Sequence, residues 1–567
     1  MIFAKKVILL LTLCLISLPL KAQFTTEEEI KENLPKMLGA NNVGKEFWFS
    51  IPPCYPSDPT DDIKVYVTSP YRTLVTIEVP SEGWRRSVMT VPNDVTVFEV
   101  TPTMGQPYWK LPSDPEVPDN VFVGRGVHVY ANDPIVVYVV IRYYATSDGF
   151  LAIPVSSLGK EYIVAGYPVD PMFKAVWNIY LPNVCLIVAP YDQTKVRFTV
   201  GGNSTTVTAG GLRPGQTKEV ILNRGDVLGI STKGDGGDLS GSRVVATKPV
   251  AVVTGNQCTN IPNGNQWCDY TVEMDLPTYT WGKDYLVPRI PGRKFPTLIR
   301  VFAKEKNTTI YRDGKEFAFL KNTAGVEGNG FLETRLTTGV IKSAIISGDK
   351  PIGVTLYNTG SQEDGQPCIS DPFVMVITPM EQFQKEITFC MPGTFGGKQF
   401  RTANYLALVY ETDELGMTPD DLEFAEVKSG KFVWQKVKNK FPGMDELFAY
   451  KVNDKQYALK ILDLPSTGVF KIRAQKPFAA YSFGYDYCDS YGYPTSAALA
   501  DLEKPDTLPP VPRWKDSCGI ISFATVTDMP DDPIIRSNMA MIVLHPYPES
   551  FNVDFKYTDF IPGETRT

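Results

Sequence analysis

Four aspartates recur at equivalent positions along the chain, and each opens a short segment that ends in a proline. They are Asp148, Asp269, Asp371 and Asp489. If the parts of the chain that carry them close on one another, their carboxylates could line one face and bind a polar ligand. The alternative is the usual role of a turn aspartate, which accepts hydrogen bonds from backbone N–H groups. The sequence leaves both interpretations open and makes these residues the candidate binding site.

The sequence contains none of the residue patterns of the common catalytic classes. Two histidines, His128 and His545, are too few for a His-rich metal centre. No GxSxG, HExxH or Gly-rich phosphate loop occurs. Asp235 and Asp238 lie in GDGGDLSG, but the further oxygen ligands that Ca²⁺ needs are missing, which favours a tight turn. We therefore predict no catalytic residue, no metal site and no cofactor, and a structural role for His128.

The cysteines indicate an exported protein. Their number outside the first 22 residues is even, as expected where disulfides form. Cys258 and Cys268 bracket the loop TNIPNGNQW, which is rich in Gly, Asn and Pro. We predict a disulfide between them, with a pair of buried thiols as the alternative. The pairing of the other cysteines is not readable from the sequence.

Residues 1–22 have the pattern of a secretory signal peptide. Lys5 and Lys6 precede an apolar run of about 14 residues, which is too short to span a bilayer as a mature helix. Cleavage is predicted between Ala22 and Gln23, and the ending Lys-Ala-Gln resembles signal peptides of Bacteroidetes. We expect a secreted or cell-surface protein whose mature chain does not insert into the membrane.

Beyond the leader, three signatures recur in four repeats of about 115 residues. The first is a strand, a polar corner with proline and a second apolar strand, as in SRVVATKPVAVV around Pro249. The second is the segment from aspartate to proline described above. The third is a GKE-like tripeptide that opens an apolar strand at Gly44, Gly159, Gly282 and, in degenerate form, at Gln384. Such repetition indicates one supersecondary unit used four times.

Composition indicates an all-β protein. Aromatic residues make up 12% of the chain, and Val, Tyr, Phe and Thr runs alternate with frequent Gly and Pro. The formal net charge of −7 offers no basic footprint for nucleic acid. Trp48, Trp84, Trp109 and Trp281 could stack on sugar rings, although core packing is the plainer interpretation of an aromatic-rich chain.

Each repeat has room for seven or eight short strands, which fits two architectures. The repeats could be pairs of four-stranded blades in a propeller-like closed body, or tandem β-sandwiches. No Pro/Ser/Gly-rich linker separates them. The first GKE strand also lacks a preceding aspartate segment, so it could pair with the last repeat and leave no bare sheet edge. We expect the closed body, with tandem sandwiches as the alternative.

These patterns divide the chain into five parts. They are a signal peptide (1–22), an N-terminal helical segment (23–43), the β-repeat domain (44–502), a Pro-rich linker (503–517) and a small C-terminal β module (518–567).

Several segments resemble the IgGFc-binding protein N-terminal domain family. The resemblance is carried by GKEFWFSIP, by DGFLAIPVSSLGKEYIVAGY (148–167), by DLSGSRVVATKPVAVVTGNQC (238–258) and by DLPTYTWGKDYLVPRI (275–290). It is weaker in the fourth repeat, where Gln384 replaces the glycine and residues 411–440 look inserted. The resemblance implies an extracellular binding or adhesive domain and supplies no catalytic residues.

We therefore predict a non-catalytic binding or adhesion protein whose partner is an extracellular glycoprotein or polysaccharide. A structural component of a surface or matrix is the second reading, and a glycan-active enzyme the third. A multi-unit β body offers broad, rigid loop faces, which suit recognition through many modest contacts.

Overall fold

The structure is a computed structural model that describes residues 42–55, 63–143, 146–234, 236–322, 330–336, 342–365, 369–392, 394–395, 398–400, 403–428, 431–465, 467–499, 502, 511–517 and 520–527. The predicted signal peptide with Ala22 and Gln23, the predicted N-terminal helix, Asp235 and most of the C-terminal module lie outside the described residues. No helix in the described part of the chain is long and apolar enough to cross a membrane.

Strands dominate, which confirms the all-β prediction. The first repeat contains β1 (Gly44–Phe49), β2 (Ile63–Thr68), β3 (Leu74–Val79), β4 (Trp84–Met89), β5 (Val95–Val100), β6 (Asn120–Phe122), β7 (Val127–Tyr143) and β8 (Thr146–Leu151). The second contains β9 (Gly159–Ile163), β10 (Asn183–Val188), β11 (Thr194–Thr199), β12 (Thr217–Leu222), β13 (Val227–Ser231), β14 (Arg243–Thr259) and β15 (Asp269–Met274).

The other two repeats use the same element order. The third contains β16 (Asp284–Val287), β17 (Leu298–Ala303), β18 (Thr308–Arg312), β19 (Lys315–Leu320), β20 (Phe331–Arg335), β21 (Ala344–Gly348), β22 (Ile352–Asn358) and β23 (Phe373–Val376). The fourth contains β24 (Gln384–Pro392), β25 (Thr394–Phe395), β26 (Lys398–Gln399), β27 (Ala403–Glu411), β28 (Glu423–Lys428), β29 (Lys431–Lys436), β30 (Glu446–Leu447), β31 (Tyr457–Asp463), β32 (Thr467–Asp486) and β33 (Asp489–Pro494).

Short helices and a terminal hairpin complete the described elements. The α-helices are α1 (Pro102–Gly105), α2 (Pro171–Trp177) and α3 (Val437–Lys440), and 3-10 turns occupy Pro80–Glu82, Val155–Ser157, Thr278–Thr280, Ser361–Asp364 and Met380–Gln382. Val511–Ser517 (β34), which the sequence assigns to the linker, pairs with Ile520–Thr527 (β35) as an antiparallel hairpin. A two-stranded hairpin can hold Pro512 because no central ladder needs its missing N–H.

One long strand organises each repeat. In the first, β7 pairs through its N-terminal half with β1 and β3, and through its C-terminal half with β2 and β8. The two halves therefore belong to two four-stranded sheets, an outer sheet β4-β3-β7-β1 and an inner sheet β5-β2-β7-β8. The same pairing recurs around β14 and β32, while in the third repeat the long strand is divided into β21 and β22.

The polar corner with proline is where the long strand passes from one sheet to the other. On β1 the register moves from Tyr130 to Ile135 between partners Glu46 and Gly44, so the intervening residues bulge out of the ladder. The same register shift occurs on β9 and on β24. A bulge bends a strand and increases its twist, which explains why the corner signature recurs.

The two sheets of a repeat enclose a shared apolar core. In the first repeat this core combines Phe47 and Ile77 of the outer sheet with Val65 and Val139 of the inner sheet, all fully buried. Such pairing is that of a β-sandwich, the alternative from the sequence. A propeller-like arrangement of the eight sheets stays a prediction.

Two details of the sequence analysis are corrected. The first GKE strand, β1, pairs inside its own repeat rather than with the fourth, because its repeat already contains the aspartate strand β8 that completes it. Residues 411–440 are not an insertion: they include β28 and β29, which pair with each other and with β32 as β3 and β4 do with β7.

Contacts between repeats close on themselves. The second face of each inner sheet packs on the preceding repeat: Leu186 and Val253 join the core of the first repeat, and Ala407 and Tyr481 join that of the third. The inner sheet of the first repeat packs in turn on the fourth, where the Tyr138 and Tyr493 rings lie 5.2 Å apart. The first and last repeats are therefore neighbours.

Candidate functional site

The four aspartate strands meet at the centre of the molecule. β8 contacts β15, β23 and β33, and β23 also contacts β15 and β33. The structure thus brings Asp148, Asp269, Asp371 and Asp489 together, each at most 4% exposed. We refer to these four residues as the central aspartates.

Asp148 joins all four repeats through backbone hydrogen bonds. Its Oδ2 accepts from Val272 N at 2.9 Å and from Val374 N at 3.3 Å, and its Oδ1 accepts from Gly149 N at 2.9 Å and Gly492 N at 3.4 Å. Burial raises the pKa of Asp148, and the four N–H donors act against that rise. This carboxyl group connects strands that are far apart in sequence.

Asp269 makes a similar link between the first two repeats. Its Oδ1 accepts from Thr146 Oγ1 and from Ser147 N, both at 2.7 Å. Burial raises its pKa well above the ordinary value, and the nearby Asp371 and Asp489 raise it further. Its second oxygen, Oδ2, is buried and has no hydrogen-bond partner among the described residues.

Asp489 and Asp371 are also buried, but their surroundings differ. Arg142 donates from Nε and Nη2 to Asp489 Oδ2 at 3.1 and 2.8 Å. Burial raises the pKa of Asp489 to about 6 although Arg142 lowers it. Burial and Asp489 raise the pKa of Asp371 to about 7, against the influence of Arg293. One oxygen of each carboxyl group, Oδ1, has no partner among the described residues.

The expected convergence of the four aspartates is therefore present, but below the surface. Their expected equivalence is wrong for one of them: Asp269 and Asp489 are the first residues of their strands, whereas Asp148 is the third residue of β8, which begins at Thr146. Asp148 and Asp269 accept hydrogen bonds from backbone N–H groups, which is the structural role that the sequence analysis gave as the alternative to ligand binding. A ligand-binding role for the central aspartates stays a prediction.

Loops of the second and third repeats form a continuous surface. The Gly360 N–H donates to Ile261 O at 2.8 Å, and Gln266 N donates to the Gln362 side chain. We define the loop face as α2, residues 260–268 and the 3-10 turn Ser361–Asp364.

A disulfide and a buried aspartate fix the second-repeat part of this face. Cys258 and Cys268 are bonded, with Cα atoms 5.4 Å apart, as the sequence predicts. Asp170 caps α2 by accepting from Met172 N at 2.9 Å, and its Oδ2 accepts from Asn260 Nδ2 and Gly264 N, both at 2.7 Å. The helix and the loop are thus held as one rigid element.

Two exposed tryptophans lie on this element. Trp267 is 55% exposed and Trp177 52%. Trp267 has φ +68°, a conformation that is uncommon for a bulky side chain. Such backbone strain is concentrated at functional sites, where the surrounding structure fixes it.

The sequence analysis missed both tryptophans and named others instead. Trp48 and Trp281 are buried core residues. Trp267, however, lies in the loop between the two predicted disulfide cysteines. An aromatic residue in a short cross-linked loop could have been predicted from the sequence to be exposed. Trp177 follows an N-cap aspartate and Pro171 at a helix start, and nothing in its local pattern distinguishes it from a core residue.

His128 has the structural surroundings expected of it. Its ring stacks on Trp48 with centroids 4.1 Å apart, and its nitrogens face Glu78 Oε1 at 2.9 Å and Glu46 Oε1 at 3.0 Å. Asp238 accepts from Ser240 N at 2.8 Å and pairs with the buried Arg300 at 2.9 Å, which is the geometry of a turn. In the described part of the chain no three His, Cys, Asp or Glu residues are placed to hold a metal ion.

Comparisons with known proteins identify the family of the chain. The family model described as IgGFc binding protein matches residues 148–484. The human IgGFc-binding protein is 26% identical over 232 residues, which are 41% of this chain and 4% of the human protein. This chain thus spans only a small part of that relative.

A solved structure, the GH78 family rhamnosidase of Bacillus sp. GL1, aligns with 84% of this chain and 55% of its own at 10% identity, with a TM-score of 0.12. A score this low carries no argument. The family match instead covers more than half of the chain, from the first central aspartate to the last long strand. The chain belongs to the IgGFc-binding protein family.

Proposed function

We propose that this protein is exported and binds an extracellular glycoprotein or polysaccharide through the loop face, without chemical turnover. The single observation that carries the proposal is the pair of half-exposed tryptophans, Trp177 and Trp267, on an element fixed by the Cys258–Cys268 disulfide. Tryptophan is enriched among the residues that dominate binding energy, and a rigid loop loses little entropy on binding.

The family supports binding as the general activity. The human relative is named for binding the Fc part of IgG, which is a glycoprotein. Fc is therefore a sensible first probe, although the shared region is a small part of that relative. The disulfide supports export, because such bonds persist in oxidising compartments.

The shape of the site favours a large partner over a small substrate. The described pocket between the second and third repeats is lined by apolar residues such as Ile163, Trp281 and Phe302, together with Asp275. Both oxygens of Asp275 are used, by Thr254 Oγ1 at 2.5 Å and by Ala165 N at 3.3 Å. The loop face instead presents aromatic side chains on an open surface, which suits stacking on sugars or on a protein.

The test is a binding screen of the chain from residue 23 onward against IgG Fc, other glycoproteins and polysaccharides. For each ligand found, we expect the double variant Trp177→Ala/Trp267→Ala to lose about 30-fold or more in affinity, as for a hot-spot pair. Phe319→Ala is the matched control, because Phe319 is 49% exposed on the edge strand β19 and should leave affinity unchanged.

Three results would contradict the proposal. Equal affinity of the double variant and the wild type would remove the loop face as the site. Steady hydrolysis of a glycan, abolished by one acidic substitution in a folded variant, would make the protein an enzyme. Self-association without any bound ligand would favour a structural component of a surface or matrix.

A further inference from the structure

Three of the central aspartates have buried oxygens without hydrogen-bond partners, and the proposed binding function gives these oxygens no role. Oδ2 of Asp269 and Oδ1 of both Asp371 and Asp489 are buried and have no hydrogen-bond partner among the described residues. A buried ionised oxygen without a partner is costly, so such groups pair, bind an ion or take up a proton.

These three carboxyl groups belong to one connected cluster. Ser147 N donates to Asp269 Oδ1 at 2.7 Å, and the Ser147 hydroxyl donates to Ser490 O at 2.7 Å. The Ser490 hydroxyl in turn donates to Asp371 O at 2.5 Å, and Ser490 directly follows Asp489. The three aspartates therefore come from three different repeats and are joined by hydrogen bonds that run through Ser147 and Ser490.

The charged groups around the cluster do not neutralise it. Arg142 on β7 pairs with Asp489, but it also pairs with Asp486 on β32 at 2.8 Å. Arg293, near Asp371, is engaged by Asp364 at 2.6 Å. Both arginines therefore also pair with carboxylates outside the cluster, so they neutralise it only in part.

Further acids face the same centre. Asp148 on β8 and Glu273 on β15 are both fully inside, and Glu273 Oε2 accepts from Val376 N at 2.9 Å. Burial raises the pKa of Glu273, and Asp148 raises it further. Carboxyl groups thus outnumber guanidinium groups at the centre, and their full ionisation would place like charges together in a buried site.

We propose that Asp269, Asp371 and Asp489 hold protons in the closed molecule, and that loss of these protons loosens the contact between the second, third and fourth repeats. A protonated carboxyl group carries no charge that burial would strip of water, so its oxygens need no ionic partner. The contact between these repeats is therefore stable while the three aspartates are protonated and weakens as the pH rises.

The sign of the pH dependence follows from the raised pKa values. Burial raises the pKa of Asp371 to about 7 and that of Asp489 to about 6, above the value of about 4 for an unfolded aspartate. The folded state therefore binds more protons than the unfolded state between about pH 4 and 7. These two carboxyl groups make their full contribution to stability below this window, and that contribution is lost as the pH rises through it.

The first test uses the wild-type protein alone. Unfolding in weakly buffered guanidinium at pH 6 should release protons to a pH indicator, and the thermal midpoint should fall between pH 5 and pH 8. Absence of proton release would overturn the proposal. A midpoint at pH 8 that shifts with added Ca²⁺ or EDTA would also overturn it, because a cation would then occupy the centre.

The second test replaces a carboxyl group by a neutral group of the same shape. Asp371→Asn should raise the thermal midpoint at pH 8 by about 2 °C or more and flatten its dependence on pH. Asp226→Asn is the matched control, because the buried Asp226 accepts from Gly124 N and Asn223 N, both at 2.9 Å. The control should be destabilised alike at both pH values, and a similar loss in Asp371→Asn would refute the proposal that Asp371 is protonated in the folded state.

Discussion

At the scale of single residues, two of the central aspartates have opposite roles. Asp148 has both oxygens engaged by backbone N–H groups, whereas Asp371 has an oxygen with no partner among the described residues. An asparagine at position 148 would place its side-chain NH₂ group against two backbone N–H groups, and a donor cannot accept their hydrogen bonds. We expect Asp148→Asn to lower the free energy of unfolding by about 2 kcal/mol or more, as measured by guanidinium denaturation.

The comparison with Asp371→Asn makes this prediction specific. Both variants remove one carboxyl group from the same buried centre, so a general effect of charge removal would move both in one direction. Stabilisation by Asp148→Asn would show that its backbone hydrogen bonds contribute little.

The glycine of the GKE signature packs closely against a single proline. A Cβ added to Gly159 would lie 2.3 Å from Pro277 Cβ, and one added to Gly44 would lie 2.3 Å from Pro154 Cβ. Each glycine thus faces the proline that ends the aspartate strand of its own repeat. Overpacking of this kind costs about 1–3 kcal/mol, so Gly159→Ala should lower the denaturation midpoint.

Gly443→Ala is the control for this substitution. Nothing lies within 4 Å of a Cβ at Gly443, and its backbone is not left-handed. We expect its midpoint to match that of the wild type. An unchanged midpoint in Gly159→Ala would mean that the chain shifts to accommodate the methyl group without cost.

At the scale of elements, the disulfide loop holds the proposed binding surface in place. The bond closes a short loop, and its loss should cost somewhat less than the roughly 3 kcal/mol expected for a loop of 15 residues. In Cys258→Ala/Cys268→Ala, the amide of Gly264, bonded to Asp170, should lose protection from hydrogen exchange. Val272 on β15 should remain protected, because its partner Asp148 is part of the central strands.

A different exchange pattern would separate two possibilities. Retained protection of Gly264 would show that Asp170 alone fixes the loop. Loss of protection at both amides would show that the disulfide stabilises the whole repeat rather than its loop.

Much of this element level was readable from the sequence. The GKE strands and the aspartate segments form strands in every repeat, and the corner around Pro249 lies within one long strand in three of the four, because local alternation and turn residues determine them. The partner of each glycine was not readable: Pro154 precedes Gly159 by five residues but packs on Gly44, far away in sequence. Chain order says which residues are adjacent, whereas pairing is decided by the closure of each sandwich.

The candidate site was likewise predictable in part from the sequence. The convergence of Asp269, Asp371 and Asp489 follows from their repetition, whereas Asp148 reaches the centre from a place two residues further along its strand. The burial of all four depends on strands from all four repeats. The exposure of Trp177 likewise depends on which side of a short helix faces Cys258, and a helix of two turns has too little periodicity to show it.

At the scale of the whole molecule, the central strands make the four repeats interdependent. β8 of the first repeat contacts aspartate strands of the other three, and the Tyr138 hydroxyl donates to Thr495 O of the fourth repeat at 2.7 Å. No repeat can unfold without exposing backbone groups and apolar surface of another. We therefore expect residues 44–499 to unfold in one transition whose calorimetric and van't Hoff enthalpies agree.

Removal of the fourth repeat gives the sharpest form of this prediction. A chain ending at residue 379 would expose the face of the first inner sheet that carries Tyr66, Tyr138 and Val140, and would leave Asp148 without the Gly492 N–H. The third repeat would also lose its contacts with Ala407 and Tyr481. Limited proteolysis should therefore degrade the first repeat as readily as the third, although the first is the most distant in sequence from the truncation. If proteolysis instead releases stable single repeats of about 115 residues from the intact chain, the four sandwiches are independent domains and the central contacts contribute little to stability.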